Sequence, residues 1–178
     1  MKVISLKIPD IKLIEPDSFD DERGFFFESF NQKKFNSLVG VPDIFVQDNH
    51  SKSKKGVLRG LHYQVEPFDQ GKLVRVIKGK VFDVVVDIRK NSPTYNHWLA
   101  ETLSESNKKQ LWIPSGFAHG FLALEDDTDF LYKTTKYYST EHERVIGYND
   151  KKFNIEWPEV AGGFILGEKD FNAYKKSL

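Results

Sequence analysis

The stretch from Val57 to Ile88, VLRGLHYQVEPFDQGKLVRVIKGKVFDVVVDI, constrains the fold more than any other part of the chain. β-Branched residues dominate it, and Gly and Pro divide it into three strands, Val57 to Gln64, Lys72 to Lys78 and Val81 to Ile88, the last two joined by a tight turn at Gly79. Arg59, His62, Gln64, Lys72 and Arg75 interrupt these apolar runs. Leaving a charge buried and unpaired is costly, so such groups must be paired, solvated or used, and a cavity lined by strands meets that requirement. A lone histidine beside apolar residues is more often structural than catalytic. Lys72, ten residues on in a neighbouring strand, gives His62 a cationic companion in one cavity. Strict alternation puts Leu58, Gly60, His62 and Gln64 on one face and Arg59 on the other. Either a bulge at Gly60 re-aims the strand, or Arg59 serves another part of the site or a neighbouring loop.

Elsewhere the chain reads as short strands with little helix. Val3 to Lys7 and Lys12 to Pro16 are expected at an edge. In DDERGFFFESF, Asp20 to Phe30, the consecutive phenylalanines suit a strand packed on both faces. Asn31 opens a short helix as N-cap, Phe30 and Phe35 form a hydrophobic staple, and Gly40 ends it. Phe45 to Asn49 puts Gln47 and Asn49 on one face, and a solvated Lys-rich loop from Ser51 to Gly56 follows. After Trp98 to Leu103 and Gln110 to Ile113 comes a turn from Pro114 to Gly120. Phe130 to Tyr138 then alternates so that Phe130, Tyr132, Thr134, Lys136 and Tyr138 share a face. The segment from Val145 onward is looser, wraps the barrel and ends in a helical tail holding Glu168, Lys169 and Asp170. Many short strands at regular spacing predict an all-β jelly roll or sandwich, forming one domain over residues 1–178 with no repeat or linker.

Composition removes several classes of function. Lys plus Arg and Asp plus Glu both total 26, so no net field attracts nucleic acid or a membrane surface. No apolar run approaches a membrane span and no signal peptide is apparent, so a cytoplasmic location is expected. With zero cysteines, chemistry must rest on His, Tyr, Lys, Asp or Glu. His50, His97 and His142 lie in polar contexts and are expected at the surface.

A histidine strand followed by Pro-x-Gly-x-x-His, here Pro114 to His119, resembles the cupin jelly rolls. Many cupins hold a metal there, but Tyr63 and Gln64 follow His62 where a second histidine would serve, so no metal is expected. The longer motifs VQDNHS, GVLRGLHYQ, QGKLVRVIKGKVFDVVVDIRKNSPTY, IPSGFAHGFLAL and YKTTKYYS closely resemble the nucleotide-sugar 3,5-epimerases over nearly the whole chain. The resemblance implies His62 as general base, Asp170 as its paired carboxylate, Tyr132 as general acid and Lys72 as stabiliser of an enolate oxygen. It further implies that His119, Arg23, Glu28, Gln47, Asp48, Asn49, Arg59, Glu143 and Lys169 bind the sugar nucleotide and that Tyr138 stacks on its base. No cofactor is implied. A homodimer is, with N-terminal strands exchanged so that Arg23 reaches the partner's site.

These residue types suit the chemistry. A 4-keto group acidifies the hydrogens on C3 and C5, so epimerisation needs a base, a donor on the opposite face and preorganised positive charge at the oxyanion. Arg23, Arg59 and Lys169 match a diphosphate-linked sugar. Alternatives within the class are a 3-only or 5-only epimerase, or another substrate such as a GDP-linked 4-keto heptose. A metal-dependent cupin enzyme and a non-catalytic sugar-binding cupin are the alternatives outside it. The chain departs from the family pattern at Thr140 and Tyr148, where Pro and Trp are usual.

Overall fold

The computed structural model describes residues 1–177, most of them in strands and their connections. In chain order the elements are β1 (Lys2–Ser5), β2 (Lys12–Glu15), β3 (Phe19–Asp21), β4 (Gly24–Phe26), α1 (Gln32–Val39), β5 (Gln47–Ser53), β6 (Val57–Gln64), β7 (Lys72–Lys78) and β8 (Lys80–Asp87). They continue as β9 (Trp98–Ser104), β10 (Gln110–Ile113), β11 (Phe117–Ala123), β12 (Thr128–Thr134), β13 (Glu143–Val145), β14 (Ile165–Leu166) and α2 (Glu168–Lys176). One sheet runs β1-β2-β10-β7-β12-β5 and the other β13-β6-β11-β8-β9, with β14 added in parallel to β6. The main core lies between them: Leu13, Val74 and Phe130 from the first sheet meet Val81, Val85 and Phe121 from the second. The rings of Phe121 and Phe130 stack at 4.2 Å, tying β11 to β12 across the sandwich. This is the expected jelly roll of the cupin type.

The three central strands form as the sequence indicates, with β8 shifted by one residue. So does α1, whose Asn31 side chain accepts the Lys34 N–H and whose chain leaves through Gly40 at φ 79°. The bulge at Gly60 is also present. β6 pairs with β11 through His62 opposite His119 and Arg59 opposite Phe121, so two residues of β6, Gly60 and Leu61, face the single Gly120 of β11. His119 and Phe121 share the inward face of β11, and the slip therefore puts both His62 and Arg59 on that side of β6, where Arg59 stays exposed to solvent.

Four expectations differ from the structure. The phenylalanine-rich segment is no doubly packed strand: β3 and β4 form an isolated hairpin whose Phe19, Phe25 and Phe26 are 67%, 54% and 71% exposed. Gly24, at φ +125°, lets the chain reverse there, and apolarity alone does not distinguish a core from a contact surface. The predicted turn around His119 is instead the wholly buried strand β11, with only Pro114 to Gly116 outside regular structure. The polar segment after Asn49 continues β5 to Ser53, because its backbone pairs with β12. Finally, β12 ends at Thr134, so Lys136 and Tyr138 belong to the following loop rather than to the alternating face of Tyr132.

Close approach of β6 to β11 depends on paired glycines. A Cβ on Gly60, at φ +112°, would lie 2.6 Å from both Gly120 Cα and the His119 carbonyl oxygen, and one on Gly120 would lie 2.7 Å from the Arg59 carbonyl oxygen. Gly60→Ala is therefore expected to lose about 2–4 kcal/mol in urea unfolding. Gly162→Ala, at φ +90° with nothing within 4 Å of the new methyl, should lose only about 1 kcal/mol.

Candidate active site

The interior between the sheets is apolar at one end and polar at the other. β6 brings His62 to the polar end, and the His62 Nε2–H donates to Asp170 Oδ1 at 2.7 Å. Asp170 is buried in the first turn of α2 and also accepts the Gly60 N–H at 3.1 Å. A carboxylate in the first turn suits the helix dipole. With Nε2 engaged, Nδ1 is the nitrogen that His62 can offer to another molecule.

Lys72, at the start of β7, is also buried, and its ammonium donates to the His62 carbonyl at 3.3 Å. Burial pushes this group down to about 8, against the opposing pull of Asp83 and Glu143. Tyr132 lies on β12 against the core cluster, and its phenol is pushed up by burial and by the charge of Glu143. The hydroxyl therefore stays protonated through the neutral range. Arg59 acts on this phenol in the opposite sense, and its guanidinium donates to Ser53 Oγ at 3.2 Å and the Lys52 carbonyl at 3.3 Å. It thus faces the cavity and also holds the adjoining strand, combining the two roles set out as alternatives above.

Around the mouth, three expected ligands meet one another. The Tyr138 hydroxyl donates to Glu143 Oε2 at 3.0 Å, and the Lys169 ammonium reaches the same oxygen at 2.5 Å and Tyr138 Oη at 3.3 Å. Burial works against the Glu143 charge, but the hydrogen bonds from Lys169 and Tyr138 hold the carboxyl below its usual range. Gln47 donates to Asn49 Oδ1 at 3.0 Å and accepts the Tyr138 N–H at 3.0 Å, which joins β5 to the same mouth.

Three other expected residues are not brought to this cluster. Asp48 points to the opposite face of β5 and pairs with Lys133 at 2.8 Å. There it lines an outer groove of about 420 Å³ with Phe30, Arg75 and Lys133, a groove that Asn49 of β5 and Tyr132 of β12 also border. Arg23 pairs with Asp21 at the hairpin, and Glu28 with Lys34 and Asn31; none of these contacts involves the His62 cluster. The sequence reading also missed Asp83, which is 0% exposed and receives His119 Nε2–H at 2.9 and 3.0 Å. The alternation of VFDVVVD carried the signal, since it places Asp83 on the face shared by Val81 and Val85. Asp87, on that face too, is accounted for by donors from Arg89, Ser92 and Thr94. Among the described residues no three His, Asp or Glu side chains converge as ligands for a cation.

The family model for dTDP-4-dehydrorhamnose 3,5-epimerase matches residues 5–176. The chain belongs to this family. The dTDP-4-dehydrorhamnose 3,5-epimerase of Shigella flexneri is 59% identical over 175 residues, covering 98% of this chain and 96% of that protein. A Legionella pneumophila dTDP-6-deoxy-D-glucose-3,5-epimerase, solved in complex with dTDP-4-keto-L-rhamnose, superimposes with a TM-score of 0.93 at 51% identity, covering 96% of this chain and 90% of that one. A 3'-monoepimerase from Streptomyces bikiniensis, solved with dTDP-quinovose, has a TM-score of 0.88 at 30% identity, covering 94% and 84% of the two chains. As an epimerase of this family the protein is an isomerase of nucleotide-sugar metabolism. No helix among the described residues is long and apolar enough to cross a membrane.

Burial of Lys72 has a cost to stability that can be measured. Its folded value of about 8 lies below the ordinary 10.5, so the folded state disfavours its charged form. That penalty is complete below about pH 8 and disappears as pH rises toward 10.5. Lys72→Met is accordingly expected to be more stable than the parent at pH 7, by up to ~3 kcal/mol in urea unfolding. The advantage should shrink across that pH interval.

Proposed function

We propose that the protein inverts C3 and C5 of a dTDP-linked 4-keto-6-deoxy sugar of the dTDP-4-dehydro-6-deoxyglucose type, by acid–base chemistry through an enolate. His62 Nδ1 takes the proton from the carbon beside the ketone, and Asp170 fixes the ring's tautomer and stabilises the imidazolium. The electron pair left on carbon moves to O4, where the Lys72 ammonium meets the growing negative charge. Tyr132 returns a proton to the opposite face, and solvent exchange restores both groups. Because one ketone activates both neighbouring carbons, the same pair serves C3 and C5 after the sugar shifts between steps. No redox step is needed, and the mechanism uses no metal or cofactor.

The observation that carries this reading is the placement of base and acid on opposed sheets, His62 on β6 and Tyr132 on β12, so that a sugar between them would meet one on each side. Single-centre epimerisation is the second reading, favoured by the similarity to the 3'-monoepimerase. Glu143, Lys169, Tyr138, Gln47, Asn49 and the exposed Arg59 at the mouth, with the buried His119 inside, would receive the nucleotide, diphosphate and sugar. The reading includes a cytoplasmic protein of one cupin domain.

The same reading includes a homodimer. The exposed phenylalanines of the β3–β4 hairpin form an apolar surface of the kind that marks a protein contact. Arg23 beside them pairs with Asp21 alone among the described residues, and exchange of the hairpin would deliver it, with Glu28, to the neighbouring cavity.

Proton exchange into the sugar, followed by NMR in heavy water, separates the roles. His62→Asn should cut deuterium uptake at both carbons by at least ~100-fold. Tyr132→Phe should still admit deuterium from the His62 side while inverting little. Near-normal exchange in the first variant, or normal inversion of both centres in the second, would refute the assignment.

Subunit exchange supplies an independent check. Arg23→Ala and His62→Asn, each inactive alone, should recover roughly a quarter of the parental activity when unfolded together and refolded at equal concentration, because one of the two sites in each mixed dimer is intact. Light scattering should report a dimer throughout. No recovery in mixed dimers would mean that Arg23 acts within its own subunit, and full activity of Arg23→Ala alone would mean that it does not act.

A further inference from the structure

Asp83 is a wholly buried carboxylate that the mechanism above does not use. It projects from β8 between Val81 and Val85 into the interior, and both oxygens are taken by the Nε2–H of His119 on β11, at 2.9 and 3.0 Å. Three polar groups bear on it from the elements around it. His119 and the Lys72 ammonium of β7 act to keep it ionised, whereas Glu101 stands directly opposite it on β9 and opposes its charge. Burial pushes the Asp83 carboxyl up, and His119 and Lys72 pull it back. Toward Lys72 the relation is reciprocal. Its facing groups are the His62 carbonyl of β6, Asp83 of β8 and Glu143 of β13, and of the two carboxylates Asp83 does more to keep the ammonium charged.

A buried acid costs stability unless its charge has work to do or a partner to satisfy it. Histidine alone would be satisfied by a neutral acceptor such as an asparagine oxygen, so the hydrogen bond does not account for a carboxylate here. We propose that Asp83 is a positioning residue: it fixes His119 as the Nε2–H tautomer, so that Nδ1 is presented to the sugar, and it supplies the negative charge that keeps Lys72 as an ammonium ion at the ketone. The inference rests on the acid–base reading above, in which Lys72 meets the enolate oxygen.

Asp83→Asn preserves shape and an acceptor for His119 but removes the charge. NMR titration of the lysine side chains, with the Lys72 signal assigned through Lys72→Arg, should show Lys72 losing its proton about one pH unit lower in Asp83→Asn than in the parent. The alkaline limb of kcat should move by the same interval, lowering kcat about fivefold at pH 8 while KM changes less than about twofold. Glu101→Gln removes the half-buried acid that faces Asp83 from β9 and should leave the Lys72 titration where it was. An unmoved Lys72 titration in Asp83→Asn, or a uniform loss of activity with no displacement of the pH profile, would overturn the proposal in favour of a purely structural role. If Asp83→Asn does not fold, the unaltered protein still decides the first half: nitrogen NMR should find His119 protonated at Nε2, and protonation at Nδ1 overturns it. Failure of the parent to epimerise 4-keto sugars would defeat the functional reading alone, since the Lys72 titration and the His119 tautomer are both read without substrate.

Discussion

The active end of the molecule depends on one contact between backbones, where β6 and β11 approach at Gly60 and Gly120 more closely than any side chain permits. The approach is coupled to the bulge in β6, which reverses the outward aim that Arg59 would have in a regular strand. It also turns the Gly60 N–H toward Asp170, the same oxygen that accepts His62 Nε2–H. One irregularity thus orients the histidine, its carboxylate and a neighbouring arginine together. Bulges cluster beside functional sites for this reason: a regular ladder presents alternate residues only.

Around that point the cavity is a set of charges that burial makes expensive and that partners make tolerable. Asp170 has His62, Asp83 has His119, and Glu143 has Lys169 and Tyr138. Lys72 differs, since its hydrogen-bond acceptor is a backbone carbonyl and its carboxylate neighbours act from a distance. A loosely held, poorly solvated ammonium is a liability to folding but a strong electrostatic partner for an oxyanion that appears only during reaction. Phe121 of β11 and Phe130 of β12 stack across the sandwich in the apolar core beside these groups.

The site was legible in the sequence where one strand carries the information. His62 and Lys72 stood out as polar groups in β-branched runs, and the suspicion of a bulge at Gly60 came from the conflict between Arg59 and His62. Tyr132 and its acid role, by contrast, came from resemblance, because a tyrosine in an alternating strand looks the same whether it lines a cavity or a core. Tyr138 was expected on that same strand, yet it reaches Glu143 and Lys169 from the loop beyond. Asp83 was overlooked among valines, although its face was determined by simple alternation.

What the sequence determined by itself was local: strand content, the caps of α1, the inward positions of regular strands such as β8 and the absence of cysteine chemistry. These follow from steric preference and period-two alternation, which involve near neighbours only. Which strands stand side by side, and therefore which polar groups share one cavity, was decided by the tertiary structure. Asp170 lies 108 residues from His62 and Asp83 lies 36 from His119, separations over which no local periodicity operates. The same holds for the hairpin phenylalanines. Three aromatic residues in a row state that surface must be covered, but only the folded chain reveals that the covering is not supplied by its own core.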